Sequence, residues 1–83
     1  MTSTYYIKYQ ILRRNGTTAW LETKTVQTEE EARTIYEAKM SRTNVREAYI
    51  FRVDHYQPEE MRNPKRHPHG FDDYRIIATY SRI

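Results

Sequence analysis

Three histidines and a vicinal pair of aspartates are the side chains of this sequence with the clearest chemical potential. His67 and His69 flank Pro68, His55 lies upstream, and Asp72-Asp73 follows close behind. Two imidazoles one residue apart, joined by His55 or Asp72, are donors of the kind that bind zinc or build a histidine–metal nuclease centre. The spacing argues against both. Pro68 restricts the geometry between the rings, no His-x-x-x-His helix is present, and the chain has no cysteine. Asp72 and Asp73, with Asp54 and Glu47, are oxygen donors suited to magnesium, but neighbours along a strand point to opposite faces. No serine or threonine stands near a histidine–acid signature, and two glycines are too few for a phosphate-cradling loop. The ordinary reading is a solvated basic loop and loop-capping acids. The sequence therefore predicts no catalytic residue, no metal and no cofactor, and a protein that is not an enzyme.

Recognition is the other chemistry on offer. Arg13-Arg14 and Lys65-Arg66 are two basic points that would hold phosphates, with Tyr6 or Trp20 stacking on bases. The chain carries 14 Lys and Arg against 11 Asp and Glu, for a net charge of +3, and ten of the cations are arginine. Nucleic-acid domains gather such charge on one face. Here the acids are gathered too, at Glu29-Glu30-Glu31 and Asp72-Asp73. The eight tyrosines point elsewhere, since tyrosine combines a large apolar ring, few torsions and a polar tip that tolerates water. Contact with another protein is the leading expectation, and nucleic acid the alternative.

The elements that must position these groups follow from periodicity. Thr4 to Arg13 alternates as a strand, with Tyr5, Ile7, Tyr9 and Ile11 on one face and Tyr6, Lys8, Gln10 and Leu12 on the other. Asn15-Gly16 marks a hairpin, and Thr17 to Val26 is the return strand. A two-residue loop would set Lys24 and Glu22 beside Ile7 and Tyr9. A three-residue loop with Gly16 left-handed instead pairs Ala19, Leu21 and Thr23 with the inner residues and places Lys8 opposite Glu22. The second register buries no charge and turns Trp20 outward. Thr28-Glu29-Glu30-Glu31 is a capping box opening a helix to Met40 or Arg42, with Ala32, Ile35, Tyr36 and Met40 as its apolar stripe. Val45 or Arg46 to Tyr56 is a third strand that splits into Tyr49, Phe51, Val53 and His55 against Ala48, Ile50, Arg52 and Asp54. Residues 57–73 hold all three prolines and read as a long loop of the functional or mobile kind, with a helical turn at Pro58. Tyr74 to Arg82 closes the sheet, with Tyr74, Ile76, Ala78 and Tyr80 alternating against Arg75, Ile77, Thr79 and Ser81.

The result is one α+β domain spanning residues 1–83: a four-stranded, mainly antiparallel sheet with one helix packed on one face, in the order β-β-α-β-long loop-β. One helix covers one face. The other is expected to carry Tyr6, Trp20, Ile50, Arg52, Arg75 and Ile77, with Arg46 nearby, an arginine-and-ring surface of the composition that interface hot spots favour. No apolar run is long enough for a signal peptide or a membrane span, and the lack of cysteine suits a reducing cytoplasm.

The run Tyr-Tyr-Ile-Lys-Tyr, the Asn-Gly turn, the threonine-rich return strand, the Thr28-Glu-Glu-Glu-Ala32 helix start and the Tyr49-Ile-Phe-Arg-Val53 strand resemble small phage- and mobile-element-encoded α+β proteins, some anti-CRISPR proteins among them. The likeness is architectural and covers Tyr5 to about Tyr56. It implies a small cytoplasmic protein that binds and blocks a host protein or complex. A second copy of the chain, giving a homodimer, is the other protein partner to expect.

Overall fold

The computed structural model describes residues 1–60 and 68–82. The alternating N-terminal segment forms β1 (Thr2–Leu12), and a tight turn returns the chain as β2 (Thr18–Glu22). In the turn the Arg13 N–H donates to the Thr17 carbonyl at 2.8 Å, and the Gly16 N–H to the Arg13 carbonyl at 3.0 Å. Gly16 adopts φ 85°, a left-handed conformation that favours glycine. The register is the one that buries no charge: Lys8 faces Glu22, Tyr9 faces Leu21, Gln10 faces Trp20 and Ile11 faces Ala19. The return strand is shorter than its composition suggests. Thr23 donates its N–H to the Ile7 carbonyl at 2.9 Å but accepts the Ile7 N–H on its hydroxyl at 3.0 Å, so a side chain takes the place of a ladder carbonyl there, and the chain pairs with β1 again at Val26 opposite Tyr5.

Thr28 then caps α1 (Glu29–Met40), accepting the Glu31 N–H at 3.2 Å. The Glu31 carboxylate accepts from the Thr28 hydroxyl at 3.0 Å, which closes the cap through side chains instead of the Thr28 amide. Ala32 and Tyr36 are buried, and Ile35 and Met40 pack against the core. At the other end the Arg82 guanidinium donates to the carbonyls of Met40 at 3.1 Å and Thr43 at 3.2 Å, satisfying acceptors the helix leaves free.

β3 (Val45–Tyr56) and β4 (Phe71–Ser81) complete an antiparallel sheet of order β2-β1-β3-β4. Between them Pro58–Glu60 forms a short 3-10 turn. β4 begins at Phe71, so Asp72 and Asp73 belong to the strand and not to the preceding loop. Two irregularities set which side chains face where. Gln10 pairs Glu47 and Ile11 pairs Val45, leaving Arg46 unmatched. Ile50 pairs Ala78 and Phe51 pairs Ile76, leaving Ile77 unmatched. A bulge of this kind reverses the alternation beyond it.

The core lies between α1 and the sheet. Ile7, Ala32, Val45, Ala48 and Ile50 are fully sealed, with Tyr9 and Tyr36 beside them. Ala48 and Ile50 therefore face the helix, matching Tyr9 and Ile7 across the ladder. The two-way split of β3 read from the sequence holds. The side assigned to the core was the wrong one.

A candidate interaction site: the uncovered aromatic face

With Ile7, Tyr9, Ala48 and Ile50 turned toward α1, the opposite face of the sheet carries Tyr6, Lys8, Trp20, Tyr49, Phe51, Tyr74 and Ile76. Its rings are organised in pairs. Tyr6 stacks on Phe51, with centroids 5.0 Å apart and planes 7° from parallel. Trp20 leans on Tyr49 at 6.0 Å and 30°. The Lys8 ammonium sits 5.5 Å from the centre of the Trp20 ring, within cation–π reach. Lys8, Trp20, Tyr49, Phe51 and Ile76 enclose a shallow groove of about 260 Å³. Trp20 is 44% exposed, Ile76 51% and Tyr74 58%. Rings spread across all four strands, with Trp20 and Tyr74 exposed and Tyr6, Tyr49 and Phe51 half-buried between them, give rigid contact area at low entropic cost.

The electrostatics of this face differ from those of the whole chain. Glu22 lies opposite Lys8, and Glu47 accepts a hydrogen bond from the Tyr49 hydroxyl at 3.4 Å. Burial raises the Tyr6 hydroxyl above its ordinary pKa, with Glu22 and then Tyr74 adding to the effect. Burial likewise raises Tyr49, followed by the charge and hydrogen bond of Glu47. Both phenols therefore stay protonated, with the Tyr49 O–H directed at Glu47.

Several expected members lie elsewhere. Tyr6 and Trp20 are on this face. Ile50 is fully buried under the helix, and Ile77 packs against the core at the bulge. Arg52 and Arg75 project on the helix side of the sheet. There the Arg52 Nε donates to Asp54 at 2.8 Å, the Ser3 hydroxyl donates to the same carboxylate at 2.6 Å, and the Arg75 Nε donates to Asp73 at 3.1 Å. Asp54 is 3% exposed, and those bonds, the Ser3 hydroxyl first and Arg52 next, hold its carboxyl below the usual range. An arginine survives on the core side because an acid two residues along the same face neutralises it. Tyr49, Phe51, Tyr74 and Ile76 take the vacated places. Of the phosphate candidates, Arg13 and Arg14 are exposed at the hairpin turn, while Lys65 and Arg66 lie outside the described residues.

At its far end the face becomes polar. Thr4 Oγ1 is 2.8 Å from His55 Nε2, and His55 Nδ1 is 2.8 Å from Asp72 Oδ1. This is the atomic order of a hydroxyl–imidazole–carboxylate relay, assembled from three neighbouring strands and invisible as sequence spacing. The three side chains tie the neighbouring strands together as a cross-strand polar latch. His55 and His69 line a neighbouring cavity of about 450 Å³. His67 lies outside the described residues, among which no three His, Cys, Asp or Glu side chains are grouped to hold a metal ion. Nor is any helix among the described residues long and apolar enough to cross a membrane.

Comparison with protein families, curated proteins and solved structures finds no match for the chain.

Proposed function

We propose that this protein is a non-enzymatic interaction module that binds another protein through the uncovered sheet face. One observation carries the reading: two ring pairs, Tyr6–Phe51 and Trp20–Tyr49, stand side by side with exposed Ile76 and Tyr74 on a surface that no described element covers. Scattered apolar residues are ordinary on protein surfaces, but a contiguous set of rings with polar flanks is the composition of binding sites. The charges suggest the kind of partner. Glu22 and Glu47 lie among the rings and Asp72 at their edge, against the single ammonium of Lys8 in the groove, while the chain as a whole is cationic. A protein surface presenting apolar side chains with arginine or lysine would meet both the carboxylates and the ring faces. Phosphates would meet the same carboxylates unfavourably, which ranks nucleic acid second. That the module acts in the cytoplasm, by blocking a host protein or complex, rests on the architectural resemblance alone.

The test is site-specific photo-crosslinking in lysate, with the reactive side chain placed at Ile76 on the face or at Glu30 on the helix. Adducts to one protein from Ile76, competed by unlabelled wild type and absent from Glu30, are expected. Equal labelling from both positions, or labelling that wild type does not compete, would defeat the reading.

A further inference from the structure

Among the described residues the two outer strands of the sheet are unlike. β2 is five residues long, whereas β4 has eleven. Natural edges are blunted by proline, by charged or inward-pointing side chains, by brevity or by a bulge. β4 has no proline and no lysine, its inward charges Asp73 and Arg75 neutralise each other, and its bulge at Ile77 leaves Asp72 to Ile76 in unbroken register with β3. That regular segment carries Tyr74 and Ile76, which are 58% and 51% exposed.

We infer that this edge pairs with the β4 edge of a second copy, antiparallel about a two-fold axis through Tyr74. Charge selects the register. In such a pair a residue on the axis meets itself, and its neighbours meet in reverse order. An axis at Asp72, Asp73 or Arg75 sets a charge against its own copy. An axis at Tyr74 sets Tyr74 on Tyr74 and places Asp73 of each chain opposite Arg75 of the other, so that two ion pairs form, whereas an axis at Ile76 avoids repulsion but brings no opposite charges together. Asp73 and Arg75 already lie on one face of the strand, joined at 3.1 Å within the chain, and are oriented to share that contact across the axis. The axis runs normal to the sheet, which leaves both helices on one side and both aromatic faces on the other. The dimer would thus present a continuous eight-stranded surface built from two four-stranded sheets. The pairing uses the strand edge and not the aromatic face, so it stands or fails separately from the proposed function.

Sedimentation equilibrium on the full chain tests it. Wild type should show a concentration-dependent monomer–dimer equilibrium. Asp73→Arg and Arg75→Asp should each weaken the dimer about tenfold by facing like charges. A one-to-one mixture of the two single variants, and the double variant Asp73→Arg/Arg75→Asp, should recover it. Circular dichroism checks the fold of each variant. Should Arg75→Asp fail to fold beside Asp54, Tyr74→Lys replaces an exposed side chain, sets two ammonium groups on the axis, and should be monomeric. A wild type that stays monomeric throughout, a dimer indifferent to these reversals, or a Tyr74→Lys protein that still dimerises would overturn the assignment.

Discussion

Gly70 stands at the corner where the chain turns into β4, and its replacement by alanine is the most sharply defined perturbation of the fold. Two independent costs meet there. Gly70 adopts φ 95°, where a side chain costs about 1–2 kcal/mol. A Cβ at this position would also lie 2.5 Å from the Tyr56 carbonyl oxygen. That oxygen cannot step aside cheaply, because Tyr56 is paired with Phe71 at the end of the β3–β4 ladder. Relieving such a contact costs about 1–3 kcal/mol. The sum is about 2–5 kcal/mol, a large fraction of the roughly 5–15 kcal/mol that holds a domain together. Gly16 supplies the control. Its φ is similar at 85°, but nothing lies within 4 Å of a Cβ built there, so only the conformational cost applies. Urea unfolding followed by circular dichroism should therefore rank Gly70→Ala below Gly16→Ala by about 2 kcal/mol. Equal midpoints for the two variants would refute the reasoning, and with it the close approach that sets Asp72 against His55.

Two further outcomes follow from other contacts. The Asp54 carboxyl is held below its ordinary pKa by the Ser3 hydroxyl and Arg52, so it favours the folded state fully above the unfolded value and loses that contribution as pH falls through the folded value. Urea midpoints should accordingly drop as pH is lowered below about 4, less steeply in Asp54→Asn; parallel profiles would contradict the assignment. Arg82→Ala removes the donors to Met40 and Thr43 at the end of α1 and should cost about 1–2 kcal/mol in thermal unfolding, whereas a loss within about 0.3 kcal/mol would mean those bonds contribute nothing net.

How much of this was legible in the chain varies by element, for physical reasons. The hairpin register could be read because Gly16 admits the left-handed residue that a three-residue loop requires, and because the other register would bury Lys24 and Glu22. The helix could be read because Thr28, the acids behind it and the apolar stripe all agree. β3 was half legible. Its alternation is plain, but both faces carry apolar residues, and Arg52 with Asp54 made the true core side look polar. The two-residue spacing of that opposite-charge pair was the available signal, since it marks a face able to neutralise itself. β4 was legible beyond Ile77, where Ala78 and Tyr80 do face the core, but not ahead of it, because the bulge that reverses its faces is set by pairing with β3 and leaves no mark in the spacing. Alternation alone therefore assigns Tyr74 and Ile76 to the core side. The Thr4–His55–Asp72 latch draws one residue from each of three strands, which no linear pattern announces.

The central claim is that the ring-bearing side of the sheet is where a partner binds, and Trp20 tests it most directly. Once crosslinking has identified the partner, calorimetric titration should compare wild type with Trp20→Ala. The ring leans on Tyr49 but is 44% exposed, so its removal should lower folding stability by only about 1 kcal/mol. Affinity should fall at least about tenfold, as for a central aromatic anchor. A Trp20→Ala protein that is folded and binds with wild-type affinity would contradict the account.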